Sequence, residues 1–303
     1  MAESGNKKIK IVTHSGGFHA DDTFAVAVLS IAFDGNIEIV RTRDPEIIDS
    51  AEVVVDVGGL YDSGKNRFDH HQTGGAGIRE NGVWFSSIGL VWQKFGEKVT
   101  GSKKAADIID RKIIQFIDAS DTGTDEILAQ KISDYTPYLL TDMVGSFVPT
   151  WRENPEETDD IFANKVVPLL KQIIEREIIK AQDIVKATPL IQKAYDEAED
   201  KRIIVLDQNL PWSYQLMKYS EPLFVILPKD IGYCIYTMND SKKSRFSRRI
   251  YFPESWAGKK DEELSKISGV EDAVFCHNGC HLAVTLSKEG AIALAKKTLE
   301  ILK

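Results

Sequence analysis

The stretch KIKIVTHSGGFHADDTFAVAVLSIAF, residues 8–33, decides the fold of the amino-terminal half of the chain. It opens as an apolar run, passes through a glycine pair, and then carries apolar side chains at helical spacing after an acidic first turn. A strand, a glycine-containing loop and a helix in this order are typical of the start of an α/β unit. Gly16 and Gly17 allow the tight backbone turn that such a loop needs.

Two further apolar segments, IEIVRTR at residues 37–43 and EVVVDVGG at residues 52–59, are predicted strands. The second is a continuous β-branched run, which suits a strand buried on both faces of a parallel sheet. Helices are predicted at about residues 85–95 and 103–119. The alternation predicts an α/β fold with a doubly wound, mostly parallel sheet that binds ligands at the carboxyl ends of its strands.

The chain has 303 residues, which is enough for two domains of about 100–200 residues each. We predict a first α/β domain at residues 1–150, a helical connector at residues 151–200 and a smaller α/β domain at residues 201–303. The connector is charged and has helical periodicity, whereas RIIVLD at residues 202–207 opens the last domain as a strand.

Charge and composition exclude several classes of protein. The formal net charge is −8, because 38 Lys and Arg face 46 Asp and Glu. This disfavours a protein that coats duplex DNA through bulk positive charge, but it leaves room for a locally basic groove. No apolar run approaches the roughly 20 residues that span a bilayer, and the amino terminus has no signal-peptide core. Three cysteines without framework spacing indicate a reducing compartment, so we expect a cytoplasmic protein without a membrane partner.

The six histidines all fall in three short clusters, which scattered core histidines would not do. Four separated segments of the first domain also bring His or Asp to the end of a predicted strand or helix. Their candidate residues are His14, His19 and Asp21, then Asp56, then Asp69, His70 and His71, and finally Asp118 and Asp121. Imidazole and carboxylate together suit divalent transition metals. The convergence predicts a two-metal site with cations about 3.5–4 Å apart, as in enzymes of phosphoryl chemistry.

Each segment alone also has a structural interpretation. Asp21 fits the first turn of a helix, and Asp56 fits a satisfied aspartate before a glycine turn. The DHH triplet fits a solvated loop, and Asp118 and Asp121 fit a polar helix end. The coincidence of four such segments favours the metal site.

The ordered motifs HADD, VVVDVGG, DHH and DASDTG resemble those of the DHH phosphoesterase superfamily. SGGFHADD, IVRTRDP, VVVDVGG with DHH, and FIDASDTG more closely resemble the melanocyte-proliferating-gene (Myg) family of metal-dependent exonucleases. The resemblance continues through VLDQNLPW, RFSRRIYFPESWAG, DEELSKISGV and VFCHNGCH, and it is weakest in the connector. The resemblance implies that residues 1–150 form a DHH-type catalytic domain and that residues 201–303 form a substrate-binding domain.

The resemblance implies a 3′→5′ exonuclease that hydrolyses single-stranded RNA through hydroxide held by two divalent ions. Manganese is the expected metal, with magnesium or zinc as alternatives. By position, the implied ligands are His14 and His19 on one metal, Asp21 and His70 on the other, Asp56 between them, and Asp121, with Asp118 as its substitute. His71 would touch the phosphate or protonate the leaving oxygen, and Asp69 would orient the histidines. Many DHH relatives carry aspartate where this chain has His19, which leaves the metal open.

Two segments of the last domain are predicted to contact the substrate. VFCHNGCH would present His277, Asn278, Gly279 and His281 to a phosphate or the nucleotide end. The alternative for this segment is a zinc site with Cys276 and Cys280, although these cysteines are better explained as small packing residues. SKKSRFSRRIYF at residues 241–252 mixes cations with aromatic rings, which suits single-stranded nucleic acid and places Arg248 and Arg249 on RNA. A solvated edge strand explains the same composition.

Two other functions stay open at this point. The first is hydrolysis of a small substrate at the same centre: pyrophosphate, a cyclic dinucleotide or a short oligonucleotide. The second is a protein that binds metal or nucleotide without catalysis. A homodimer is also compatible with the apolar helix face of the connector, as is packing within one chain.

Overall fold

The computed structural model describes residues 7–124, 137–240 and 247–302. The chain divides into two compact units, Met1–Gln182 and Asp183–Lys303. Each unit contains a five-stranded sheet with helices, which confirms the predicted α/β class. The DHH-type arrangement and the domain boundaries at residues 150 and 200 stay predictions. The first half of the predicted basic segment, residues 241–246, lies outside the described residues.

The sheet of the first unit is mostly parallel, as the sequence predicts. Its strands are β1 (Ile9–Thr13), β2 (Ile37–Arg41), β3 (Val53–Val55), β4 (Tyr61–Asp62) and β5 (Arg67–Phe68). Their order is β2-β1-β3-β5-β4, and only the β4–β5 pair is antiparallel. The carboxyl ends of β1, β3 and β5 therefore meet at one edge of the sheet.

The helices of the first unit follow the predicted order. In the described residues they are α1 (Ala20–Ala32), α2 (Pro45–Ser50), α3 (Ser87–Thr100), α4 (Lys103–Ile109), α5 (Gln115–Asp121), α6 (Leu140–Gly145) and α7 (Thr158–Ile161). Short π-helical stretches, Asp110–Ile114 and Phe162–Val166, follow α4 and α7, and 3-10 turns occur at Ser63–Lys65 and Pro155–Glu157. Helix α8 (Val167–Glu197) begins in the first unit and ends in the second.

Helix α1 is buried on nearly every side because its residues are almost all small or apolar. It packs against α3 and β3. On the sheet, Val12 and Val54 pack with Ile48 of α2 and with Ala51, the C-cap residue of this helix. These contacts place α2 on one face of the sheet. Since successive strand residues point to opposite faces, the residues next to Val12 and Val54 in their strands point to the other face.

Gly89 marks a close approach of α3 to α5. A Cβ atom at this position would lie 2.7 Å from Cγ of Asp118. The Asp118 carboxylate cannot yield easily, because Ser86 N donates to it at 3.1 Å and Arg79 Nε donates to it at 3.0 Å. Only glycine therefore fits between the two helices.

We expect Gly89→Ala to lower the free energy of unfolding by about 3 kcal/mol, because the methyl group must displace a buried, bonded carboxylate. Urea denaturation followed by circular dichroism measures the change. Gly145→Ala is the matched control, since a Cβ there meets nothing within 4 Å. Equal stability of the two variants would contradict this account of the contact.

The second unit has a mixed sheet in which most strand pairs are antiparallel. Its strands are β6 (Ile203–Val205), β7 (Phe224–Pro228), β8 (Tyr233–Thr237), β9 (Ala273–Cys276) and β10 (Leu282–Thr285), in the order β6-β7-β8-β10-β9. Its helices in the described residues are α9 (Ser213–Leu216), α10 (Asp261–Ser268) and α11 (Lys288–Ile301), with a 3-10 turn at Glu254–Trp256. Only β6 and β7 run parallel.

Cys276 and Cys280 belong to the core of the second unit, together with Phe252 and Trp256. Both thiols are free, and burial raises the pKa of Cys276 to about 12. The prediction that these cysteines serve as small packing residues is confirmed. In the described part of the chain, no helix is both long enough and apolar enough to cross a membrane.

Candidate metal centre

The predicted site residues of the first unit follow the carboxyl ends of three neighbouring parallel strands. His14 follows β1, Asp56 follows β3, and the Asp69-His70-His71 triplet follows β5. The peptide nitrogen of Asp56 donates to Phe68 O at 3.0 Å, which ties the end of β3 to the end of β5. Asp56 has a φ of 55°, in the left-handed region that aspartate rarely adopts. Strain of this kind persists where surrounding bonds hold a functional residue in place.

Seven of the predicted site residues of the first unit form three overlapping groups of side chains that could ligate a metal. The groups are His14 with His19 and Asp56, then Asp56 with His70 and His71, and finally Asp21 with His70 and Asp121. Within each group the ligating atoms lie within 4.8 Å of one another. All six residues that the resemblance implies as ligands are therefore brought together, and their role as ligands stays a prediction. The groups line a cavity of about 870 Å³.

Asp56 is the residue that connects the groups. Its Oδ2 lies 3.4 Å from His14 Nε2, whereas its Oδ1 lies 3.4 Å from His70 Nε2 and 3.5 Å from His71 Nδ1. The Asp56 side chain is 4% exposed. Its two oxygens thus face two different sets of imidazoles, as a bridging carboxylate requires.

Asp21 is held by the amino terminus of α3, which sequence reasoning did not identify. Ser86 Oγ and Ile88 N each donate to Asp21 Oδ1 at 2.6 Å, and Ser87 N donates to Oδ2 at 3.0 Å. Ser87 Oγ also donates to Asp56 Oδ1 at 3.1 Å. The available signal was the serine pair at the start of the predicted helix, because serine favours the N-cap position, which Ser86 occupies in α3.

Asp22 provides a test of whether the site suits a cation. Its Oδ1 accepts a hydrogen bond from His19 N at 2.8 Å. Its Oδ2 is buried without a hydrogen-bond partner in the described residues and lies 3.4 Å from His14 Nε2. Burial raises the pKa of this carboxyl to about 7. An unsatisfied carboxylate oxygen beside an imidazole nitrogen fits a centre that holds a metal ion.

The electrostatics of the groups point in the same direction. Burial opposes the ionisation of Asp56, but hydrogen bonds from His14 and His70 outweigh it and hold the pKa of Asp56 below its ordinary value. Burial likewise lowers the pKa of His14 and His70, yet the Asp56 carboxylate prevails and raises both above the ordinary value. Burial raises the pKa of Asp21 and Asp121. The raised pKa values mean that these imidazoles and carboxyl groups hold protons more firmly than usual. A bound divalent cation would supply the positive charge in place of those protons.

Asp69 belongs to none of the three metal-ligating groups, but it contacts His71, which is a member of one of them. Its Oδ1 lies 2.7 Å from His71 Nδ1 and accepts from His71 N at 3.1 Å, while its Oδ2 accepts from Gly59 N at 2.6 Å. Asp69 is buried, whereas the His71 side chain is 61% exposed. This arrangement suits the predicted orienting role of Asp69, with His71 presented to the cavity.

Asp118 and Asp121 occupy different surroundings although they are three residues apart. Asp121 Oδ2 lies 3.3 Å from His70 Nε2. Asp118 is fully buried and receives hydrogen bonds from Arg79, Ser86 and the Gly89 amide. Burial raises the pKa of Asp118 even beside Arg79. The geometry therefore favours Asp121 over Asp118 as a ligand.

The predicted substrate residues of the second unit lie on two connections of its sheet. His277, Asn278, Gly279 and His281 form the turn between β9 and β10. The two imidazole rings lie 4.3 Å apart, and Gly279 N donates to His277 Nδ1 at 2.9 Å. Burial, followed by the neighbouring His277, lowers the pKa of His281. Within the described ranges, the possible metal groups include no residue of this turn, so the zinc alternative has no support.

Arg248 and Arg249 follow the segment that lies outside the described residues. Arg249 Nη1 donates to Pro222 O at 2.9 Å, and Arg248 N donates to the Tyr251 hydroxyl at 3.3 Å. Both side chains are half-exposed. Part of Arg249 is therefore engaged by the fold, and its predicted contact with RNA stays a prediction.

The sequence was compared with known protein families and curated proteins. The family model MYG1_exonuc, described as an uncharacterised protein family (UPF0160), matches residues 10–299. A MYG1 protein of Schizosaccharomyces pombe is 31% identical over 97% of this chain and 98% of its own length. A MYG1 protein of Dictyostelium discoideum is 28% identical over 96% of each chain. A protein named MYG1 exonuclease from Homo sapiens is 27% identical over 96% of this chain and 85% of its own length.

These matches confirm the family that the motifs resemble, and they cover both units as well as the helix between them. The matched range contains every residue of the three metal-ligating groups. The chain belongs to the MYG1_exonuc family.

Proposed function

We propose that this protein is a metal-dependent 3′→5′ exonuclease that degrades single-stranded RNA with two divalent ions, manganese being the expected metal. The observation that carries the proposal is the Asp56 carboxylate, whose two oxygens face different imidazole groups at 3.4 Å. One shared carboxylate between two sets of ligands is what a pair of neighbouring cations needs. The relative named MYG1 exonuclease supports the choice of a nuclease.

The residues present fit such a centre, with His14 and His19 on one side of Asp56 and Asp21, His70 and Asp121 on the other. When bound, divalent cations would stabilise the charge that develops on the phosphate and make water a nucleophile near neutral pH. Asp69 orients His71 through Nδ1, which leaves Nε2 free to contact the substrate. We assign His71 Nε2 to the scissile phosphate or to the proton that the leaving oxygen takes up.

The second unit would supply substrate contacts through His277, Asn278, Gly279, His281, Arg248 and Arg249. The imidazoles and the Asn278 side-chain amide of the turn are hydrogen-bond donors for a phosphate or a ribose hydroxyl. The DHH superfamily placement, a cytoplasmic location and a homodimer belong to the same proposal.

The experiment that tests this function is a cleavage assay on RNA ladders labelled at either the 5′ or the 3′ end, with Mn²⁺, Mg²⁺, Zn²⁺ or a chelator. We expect Mn²⁺-dependent loss of single nucleotides from the 3′ end, seen as stepwise shortening of the 5′-labelled strand. Shortening from the 5′ end would overturn the polarity. Hydrolysis restricted to pyrophosphate or cyclic dinucleotides would favour the small-substrate function, and metal binding without any product would favour a non-catalytic protein.

A further inference from the structure

Eight of the residues that line the cavity at the metal-ligating groups carry side chains that attract cations. Its lining includes the carboxylates Asp21, Asp56, Asp69 and Asp121 and the imidazoles of His14, His19, His70 and His71. In the described part of the chain, Arg43 is the one lining residue with a permanent positive charge. A phosphodiester is an anion, so this guanidinium is the feature of the cavity that complements the substrate and not the metal.

Within the residues that the structure describes, the Arg43 side chain has no protein partner, whereas Arg41 and Arg79 are engaged. Among residues 7–124, 137–240 and 247–302, it makes no side-chain hydrogen bond and no ion pair, and it is exposed. Arg41 is bonded to Asp159, and Arg79 is bonded to Asp110 and Asp118. The Arg43 guanidinium therefore lies more than an ion-pair distance from the lining carboxylates, and all of its donors are available to a ligand.

The backbone on both sides of Arg43 is fixed. Thr42 N donates to Thr13 O at 2.8 Å, at the end of β1. Asp44 N donates to Thr42 Oγ1 at 3.1 Å, and Asp44 Oδ1 caps α2 by accepting from Glu46 N at 2.9 Å. A free side chain on a fixed backbone is preorganised to bind, because only rotamer freedom is lost.

We propose that Arg43 binds a second phosphate of the substrate, next to the one that the His and Asp groups hold. This inference rests on the proposed function and names its substrate class, a chain with at least two phosphates. The planar fork of a guanidinium donates two parallel hydrogen bonds to a phosphate. Because the guanidinium pairs with none of the ligating carboxylates, we assign it to the phosphate that neighbours the scissile one along the chain. A substrate with a single phosphodiester leaves Arg43 without a partner.

The test compares wild type with Arg43→Met on two RNA substrates in Mn²⁺: a dinucleoside monophosphate with one phosphate and a trinucleoside diphosphate with two. We expect Arg43→Met to reduce kcat/KM about tenfold or more further on the two-phosphate substrate than on the other, mainly through KM. Arg111→Met, an exposed arginine of the same unit outside this cavity, should behave as wild type on both. Mn²⁺ affinity measured by calorimetry should be the same in all three proteins.

Equal losses on the two substrates would overturn the inference, since Arg43 would then act at the scissile phosphate or on the fold. No loss on either substrate would overturn it as well. If the wild type cleaves neither substrate, the proposed function fails by itself. In that case, the affinities of the same two oligonucleotides in Mn²⁺, measured by competition, test the role of Arg43. The wild type should bind the two-phosphate oligonucleotide more tightly than the other, and Arg43→Met should bind both equally.

Discussion

Asp56→Asn is expected to lower kcat for Mn²⁺-dependent RNA cleavage by about a thousandfold or more, or about 4 kcal/mol of transition-state stabilisation. The variant keeps the size of the side chain but loses its charge and one of its two acceptor oxygens. Asp56 Oδ1 and Oδ2 face different imidazole groups, so the single remaining oxygen of asparagine can serve only one of the two proposed cations, and the other loses its ligand. Calorimetric titration of the metal-free protein with Mn²⁺ should show two bound ions in the wild type and fewer in the variant.

Asp49→Asn is the matched control, because Asp49 is an exposed aspartate of α2 in the same unit. It should change neither the rate nor the number of bound ions. The proposed bridging role of Asp56 would be wrong if Asp56→Asn bound the same number of ions as the wild type. It would also be wrong if the variant lost binding without losing its rate, since the ions would then have no part in the reaction.

The convergence of the His and Asp segments could be predicted from the sequence because it depends on local pattern and on one topological rule. The apolar runs before His14 and Asp56 indicate strands, and both prove to be parallel neighbours, β1 and β3. Parallel neighbours end at the same edge of a sheet, so residues that follow them must lie close together. Helix α3 was also predicted, but it continues past the predicted end at residue 95 to Thr100. Gly101 follows as its C-cap, in the left-handed conformation.

The bonds that hold the site could not be predicted, because they join residues far apart in the chain. Ser86 and Asp21 are separated by 65 positions, and no local pattern connects them. The choice between Asp118 and Asp121 likewise depends on Arg79, which is 39 residues from Asp118. The sequence FIDASDTG does not distinguish the two aspartates. In the structure, Asp118 forms a buried ion pair with the Arg79 guanidinium, whereas Asp121 faces His70. The strand directions in the mixed sheet of the second unit could not be predicted either, since short buried strands of parallel and antiparallel sheets have the same composition.

Arg41→Met is expected to weaken Mn²⁺ binding about ten- to a hundredfold without removing any ligand of the centre. The Arg41 side chain is 1% exposed. Its Nη2 donates to Gly16 O at 2.8 Å and to Gly17 O at 3.4 Å. These two glycines lie between His14 and His19 in the chain, so the guanidinium fixes the loop that separates two proposed ligands. Calorimetric titration with Mn²⁺ measures the affinity.

The surroundings of Arg41 decide which substitutions are informative. Its guanidinium lies 4.7 Å from the ring centroid of Phe162 and 5.6 Å from that of Phe18, so methionine replaces the lost packing but not the bonds to the loop. Lysine should rescue little, because an ammonium lacks the planar fork that reaches the loop carbonyls and Asp159 together.

Asp159→Asn provides the control for Arg41, because it removes the ion pair at 2.6 Å and leaves the bonds to Gly16 and Gly17 in place. The Asp159 side chain is 63% exposed, and asparagine keeps an acceptor oxygen for Arg41 Nη1 there. We therefore expect Asp159→Asn to bind Mn²⁺ nearly as wild type, while Arg41→Met does not. If Mn²⁺ binding were weakened equally in the two variants, the ion pair with Asp159, and not the hydrogen bonds to Gly16 and Gly17, would position His14 and His19.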